Sequence, residues 1–265
     1  MKLSFSTLAC PQWSWERIVE QARVLGYDGI ELRGVLDELD PLALQPLLPA
    51  RRAASLSRLH QLKLSLPCID TSCVFLSSSQ ELTQTLEEGR RIVDLAQASG
   101  TPWVRFFGDR VPTGMGDDDA VARVSLALNE LGRYAQGTGV SVLLETHGSC
   151  ANPKFTRRIF DRVDSPATGV LWDLANPVEA GFAPETVWEL LHPLIAHVHV
   201  KDVTARGKPC LPGIGVVPIP KCIQLLREGG YTGWLSFEWE RRWYTGIEAP
   251  EVALPAFIEY MSNLL

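Results

Sequence analysis

Short apolar runs alternate with amphipathic stretches along this whole chain. The alternation occurs eight times, at a spacing of about 30 residues, and it constrains the fold more than any other feature. The strand-like runs are KLSFSTLA (2–9), GIELRG (29–34), LKLSLPCID (62–70), WVRFFGD (103–109), VSVLLETHG (140–148), GVLWDLA (169–175), AHVHVKD (196–202) and WLSFEWE (234–240). Between them lie helical patterns. SWERIVEQARVLGY carries Ile18, Val19, Ala22 and Leu25 at helical spacing, with Ser14 placed to cap it and Gly26 to stop it. Residues 41–61 read as a helix interrupted at Pro46 and Pro49. Ser78 and Glu81 form a capping-box pattern before a helix to about Ala98, which Gly100 stops. Residues 117–139 open on three acids, where the helix dipole favours them, and Pro184 opens another helix. The pattern predicts a single-domain (β/α)8 TIM barrel over residues 1–265. An open doubly wound sheet alternates in the same way, but no GxGxxG or GxxxxGK[ST] follows the first strand. Two longer loop-like segments, 108–117 and 203–217, both follow strands, so both are expected on the catalytic face.

With 265 residues, 46% of them hydrophobic and 21% charged, the chain can bury a large core without staples. Its formal net charge of -6 opposes a phosphate backbone. Pro11 and Glu16 break the N-terminal apolar stretch, and no apolar run reaches spanning length, so a cytoplasmic protein without membrane contact is expected. Six scattered cysteines with no CxxC pair predict reduced, mostly buried thiols.

Four polar residues end four of the apolar runs: Glu145, Asp173, His199 and Glu238. A charge directly after a buried run is costly unless something pairs it. In a barrel, strand ends converge on one pocket. The four would then form a site of three carboxylates and one imidazole. Such a donor set suits one divalent ion, Mn2+, Mg2+, Co2+ or Zn2+, with positions left for substrate. Each member also has a plainer reading: Glu145 as a paired strand end, Asp173 as the cap of the next turn, His199 as a core histidine. His197 and His199 lie two apart in a strand and share a face, as do Glu238 and Glu240. Two carboxylates so placed repel each other unless a cation or base stands between them. Glu31 and Arg33 end the second strand and Arg105 lies within the fourth, where each can pair internally. By strand alternation Trp172 and Trp239 face the helices and belong to the core.

At GYDGIELR, LLETHG, WDLANP, HVHVKD, PGIGVVP and YTGWLSFEWE the sequence resembles the sugar phosphate isomerase/epimerase superfamily, the xylose isomerase-like TIM barrels. The resemblance covers essentially the whole chain. It implies metal ligation by Glu145, Asp173, His199 and Glu238, with Glu145 and Glu238 as the acid/base pair. The implied chemistry acidifies a C–H beside a carbonyl through a metal-stabilised enediolate. The substrate implied is a small sugar or keto-polyol, phosphorylated or acidic in some members, and a homodimer is the habit of the superfamily. Two positions depart from the epimerases: Asn176 stands where they carry a histidine, and Ala151 where they carry a glutamate. An isomerase or epimerase, a keto-polyol dehydratase of the inosose dehydratase type, and a non-catalytic ligand-binding barrel all remain open. An endonuclease IV-type activity fits poorly, because that chemistry takes three zinc ions and many histidines, and this acidic chain has five. Candidate substrate contacts are His147, Asn176, His197, Glu240, Trp13 as an apolar wall, and Lys201, which could meet an anionic group or be neutralised by Asp202.

Overall fold

The computed structural model describes residues 1–265, the side chain of residue 79 excepted. Its strands are β1 (Lys2–Ser6), β2 (Gly29–Glu31), β3 (Cys68–Val74), β4 (Trp103–Phe107), β5 (Ser141–Glu145), β6 (Thr168–Asp173), β7 (Ile195–Val200), a small hairpin of β8 (Asp202–Val203) and β9 (Pro209–Cys210), and β10 (Trp234–Phe237). The helices are α1 (Trp15–Leu25), α2 (Pro49–Gln61), α3 (Ser79–Ser99), α4 (Asp117–Ala135), α5 (Pro153–Phe160), α6 (Ala175–Glu179), α7 (Pro184–Leu191), α8 (Ile219–Glu228) and α9 (Pro250–Ser262). Eight of the strands make one sheet in the order β2-β1-β10-β7-β6-β5-β4-β3, the order of a (β/α)8 barrel. At its ends, Ile30 N–H donates to Ser65 O (2.9 Å) and Leu32 N–H to Cys68 O (3.1 Å). The segment leading into β3 thus runs beside β2.

The chain divides into two compact units, residues 1–69 with 197–265, and residues 70–196. In the first, strand alternation separates two kinds of residue. Phe5, Val198, Val200 and Phe237 pack toward the helices, while Ser4, Ser6, His197, His199 and Ser236 occupy the other face, all of them fully buried. The outer layer is aromatic. Tyr27 lies edge-on to Phe5 (4.8 Å between centroids), Phe257 stacks on Phe237 (4.5 Å), and Phe237 stacks on Trp239 (5.6 Å). Gly29 has no side chain because a Cβ there would meet the Trp234 ring at 2.7 Å. In the second unit, Phe75 and Phe106 stack at 5.3 Å beside Val104, Val142, Leu144 and Val170, all buried. Trp172 and Trp239 are core residues, as alternation requires.

Local signals set the helix ends. Ser14 Oγ accepts the Arg17 N–H (3.3 Å), and Gly26 closes α1 in the left-handed region at φ 84°. The Ser78–Glu81 capping box is complete, and α3 runs one residue past Ala98 to Ser99, where Gly100 stops it as expected. Where tertiary pairing decides, the structure departs from expectation. The first strand ends at Ser6, and Thr7–Ala9 form a 3-10 turn whose Thr7 Oγ1 accepts the N–H groups of Arg33 and Gly34, both at 3.0 Å. Pro46 sits in a short 3-10 turn, and Pro49 starts α2 instead of interrupting a helix. The third strand begins six residues late, since Pro67 has no N–H for the ladder, and it continues through Asp70, Thr71 and Ser72. Helix α6 and the β8–β9 hairpin lie where the sequence pattern suggests loop. All six cysteines are free and five are buried, and burial pushes the Cys73 and Cys150 thiols up to about 12.

Asp202 organises the long segment after β7. Its carboxylate accepts four backbone N–H groups, from Val203 (2.9 Å), Gly213 (2.9 Å), Gly215 (2.9 Å) and Val217 (3.1 Å). Gly215 passes so close that a Cβ there would run into the Asp202 carboxylate and the Val203 carbonyl. Gly215→Ala is therefore expected to cost about 1–3 kcal/mol, as overpacking does. A lower urea midpoint at unchanged slope would register it, and an unchanged midpoint would refute it.

Candidate functional site

In the unit of residues 1–69 and 197–265, β7 presents His197 and His199 on one face, both fully buried. A single carboxylate meets both: Glu31, at the end of β2, contacts His197 Nε2 through Oε2 and His199 Nε2 through Oε1. On the other side of the ring, His199 Nδ1 lies 3.4 Å from Glu238 Oε1. Glu238 Oε2 accepts from Lys201 Nζ at 3.0 Å, and the same ammonium reaches Glu240 Oε1 at 3.4 Å. Glu238 and Glu240 do share a face, and the cation between them is Lys201. Asp202, the other partner considered for Lys201, is engaged with backbone N–H groups. Burial alone would raise the Glu31 pKa, but His199 and His197 outweigh it and hold the group well below the usual carboxylate range. Burial opposes a charged His199, yet Glu31 and Glu238 push its pKa well above the ordinary value. For His197 burial prevails over Glu31, and the pKa falls.

In the unit of residues 70–196, Glu145 ends β5 and Asp173 ends β6, 1% and 0% exposed. Glu145 is held from two sides. Arg105 Nε lies 3.1 Å from its Oε2, and Asn176 Nδ2 lies 3.4 Å from its Oε1. Arg105, itself buried, also pairs with Asp70 at 3.3 Å, donates to Thr71 O at 3.1 Å and stacks 4.0 Å over the Phe107 ring. Asp173 does cap the following turn: its Oδ1 accepts the N–H groups of Ala175 and Asn176, both at 2.8 Å. Thr146 Oγ1 ties the strand ends together by accepting the Asp173 N–H at 2.9 Å. The charged side chains buried in this unit are three carboxylates, Asp70, Glu145 and Asp173, and one guanidinium, Arg105.

His147 and Asn176 line one polar cavity of about 490 Å3 with Arg110, Ser149 and Glu179. The His147 ring is half-exposed, 3.5 Å from Asp109 and 4.7 Å from the Phe107 ring. Trp13 is buried under the Arg17 guanidinium (4.4 Å) and walls a different cavity of about 450 Å3, which Arg241 and Thr245 also line. His197, expected to touch substrate, has no exposed surface. Sequence reasoning gives Glu31 and Arg105 no role beyond an internal pair, and Asp70 none at all. Their signal is a charge ending or interrupting an apolar run, and their partners lie far away in the chain.

Comparison with known proteins places these features in context. The family model described as the xylose isomerase-like TIM barrel matches residues 19–263. An inosose dehydratase of Klebsiella pneumoniae is 24% identical over 269 residues, spanning 86% of this chain and 83% of that protein. Among solved structures, a zinc-bound IolI protein superposes with a TM-score of 0.83 at 18% identity, over 100% of this chain and 99% of its own. A D-tagatose 3-epimerase-like protein superposes with a TM-score of 0.78 at 19% identity, over 100% and 98%. At these identities the structural likenesses show the fold.

Replacing Arg105 with Met keeps much of its apolar bulk and removes a guanidinium that faces Asp70 and Glu145. Breaking a buried pair from one side costs about 3–5 kcal/mol. Urea denaturation of Arg105→Met should show a loss of that size, and a loss below about 1 kcal/mol would mean that the two carboxylates do not depend on it.

Proposed function

The chain belongs to the xylose isomerase-like TIM barrel family, and from that membership we propose a divalent-metal-dependent enzyme that removes a proton beside the carbonyl of a small sugar or keto-polyol. Glu145, Asp173, His199 and Glu238 would hold the ion. All four side chains are buried. Three carboxylates and one imidazole, with no sulfur, are donors for Mn2+, Mg2+, Co2+ or Zn2+. The observation that carries the reading is the burial of these four donor side chains at the C-terminal ends of β5, β6, β7 and β10 or directly after them. When bound, such an ion supplies Lewis acidity to a carbonyl and its neighbouring hydroxyl.

The chain's own residues would carry the proton. Glu145 and Glu238 are the acid/base pair of this reading. Arg105 and Asn176 aim Glu145, and Lys201 aims Glu238. Asn176 and His147, lining one polar cavity, are placed to bind substrate hydroxyls, and Glu240 and Lys201 to bind a polar or anionic end. Two fates follow loss of the proton. Loss of a β-hydroxyl gives a dehydratase, the outcome favoured by the inosose dehydratase relative and by Asn176 and Ala151 standing where epimerases carry histidine and glutamate. Return of the proton gives an isomerase or epimerase, the second reading, which the D-tagatose 3-epimerase-like neighbour suggests. The proposal includes a small-molecule substrate, a cytoplasmic location and a homodimer, with neither nucleic acid nor membrane as a partner. No helix among the described residues is long and apolar enough to cross a membrane.

In D2O, with Mn2+, Mg2+ or Co2+ supplied, the protein should wash deuterium into the carbon beside the carbonyl of at least one compound in a panel of inososes and ketoses. No exchange and no turnover with any compound or ion would leave a non-catalytic barrel. Glu238→Gln should abolish exchange while keeping the native far-UV spectrum; retained full exchange would remove Glu238 from the pair. Ligation stabilises only the folded state. Mn2+ should therefore raise the melting midpoint above that in EDTA, and coincident curves would refute binding.

A further inference from the structure

We infer that Glu31 is a positioning residue: its carboxylate clamps His197 and His199 together by their Nε2 atoms, and so turns Nδ1 of His199 toward the catalytic side. The inference rests on the proposed function, in which His199 is a metal ligand, and it goes beyond it by assigning the ligating atom and what fixes it.

The sheet provides the route. Register places Ser6 beside Glu31, Ser4 beside Ser236, and Ser236 beside His199. The inward neighbours of Glu31 and of His199 on the two strands between are therefore serines. Ser4, Ser6 and Ser236 are all fully buried. Larger side chains at these three positions would stand between Glu31 and the histidines. Their small size lets a carboxylate from β2 reach rings carried by β7 across two intervening strands. Glu31 then uses one oxygen on each ring, Oε2 on His197 and Oε1 on His199, with all three side chains at 0% exposure.

This geometry dictates where the protons sit. A carboxylate only accepts, so both rings must donate Nε2–H. His199 Nδ1 then faces Glu238 Oε1, 3.4 Å away. An imidazole bonded at one nitrogen to a carboxylate is fixed in tautomer and orientation, and its other nitrogen becomes a better donor to a cation. His197 is the second anchor, because it holds the other oxygen and prevents the carboxylate from turning away. Glu31, His197 and His199 could themselves gather around an ion. That alternative would need the Nε2 atoms that the clamp already uses.

Long-range 1H–15N spectra of the uniformly labelled full-length protein test the clamp directly, without a variant. Nε2 of His197 and of His199 should be protonated both in the metal-free protein and after zinc is added. A bare Nε2 on either ring overturns the inference, and in the metal-free sample this readout stands whether or not zinc binds. Glu31→Gln tests the consequence. An amide offers one acceptor and one donor, so one of the two rings must flip its tautomer. Zinc affinity, measured by competition with a chromophoric chelator, should fall about 10–100-fold. In the spectra, one of the two histidines should move its proton to Nδ1. Glu31→Gln with unchanged zinc affinity and unchanged tautomers overturns the inference. If the variant does not fold, the spectra of the unmodified protein decide. Absence of zinc binding to the unmodified protein would refute the proposed function, while the clamp would stand or fall on its own spectra.

Discussion

Charge buried at strand ends is the constraint on which the rest depends. Taking an ion out of water costs several kcal/mol unless close partners replace the solvent. Glu31, Arg105, Glu145, Asp173, Lys201 and Glu238 are all at most 5% exposed, so each must be answered within hydrogen-bonding distance. Around Glu31 the answer is two imidazoles, and around Glu238 it is an ammonium and an imidazole. Around Glu145 and Asp70 it is one guanidinium shared between two carboxylates. Asp173 is met at Oδ1 by two backbone N–H groups, which carry only partial charge.

Strand alternation makes that arrangement compatible with a stable core. The strand that offers His197 and His199 to one face offers Val198 and Val200 to the other. The strand that carries Arg105 also carries Val104 and Phe106, both fully buried. Packing and chemistry therefore occupy opposite sides of the same strands. A change on the helix-facing side alters stability, and one on the other side alters charge balance.

What can be read in the sequence divides along the same line. Signals that act within four residues are legible: the Ser14 cap, the Ser78–Glu81 box and the glycine stops at Gly26 and Gly100 all stand as expected. So are the period-two strands and their polar endings, because burial on one face imposes the pattern. The third strand is hard to place because its polar stretch Asp70–Ser72 looks like a loop until Arg105 is seen to pair with Asp70 and Thr71 to donate to the Arg105 carbonyl. Glu31 looks like one of several internal pairs, because its partners lie 166 and 168 residues away. Helix α6 is hidden because Asp173, expected at a turn or at a metal, also caps a helix of five residues.

The two glutamates assigned to proton transfer share a feature that bears on how they would work. Each has a basic side chain at hydrogen-bonding distance: Arg105 beside Glu145, Lys201 beside Glu238. A neighbouring positive charge favours the ionised carboxylate. A glutamate that takes a proton from substrate is at once destabilised by its cation and becomes a strong donor. It passes the proton on, to carbon in an isomerisation or to a departing hydroxyl in a dehydration. The same pair would thus serve either fate, and the choice between them would fall to whatever holds the β-hydroxyl.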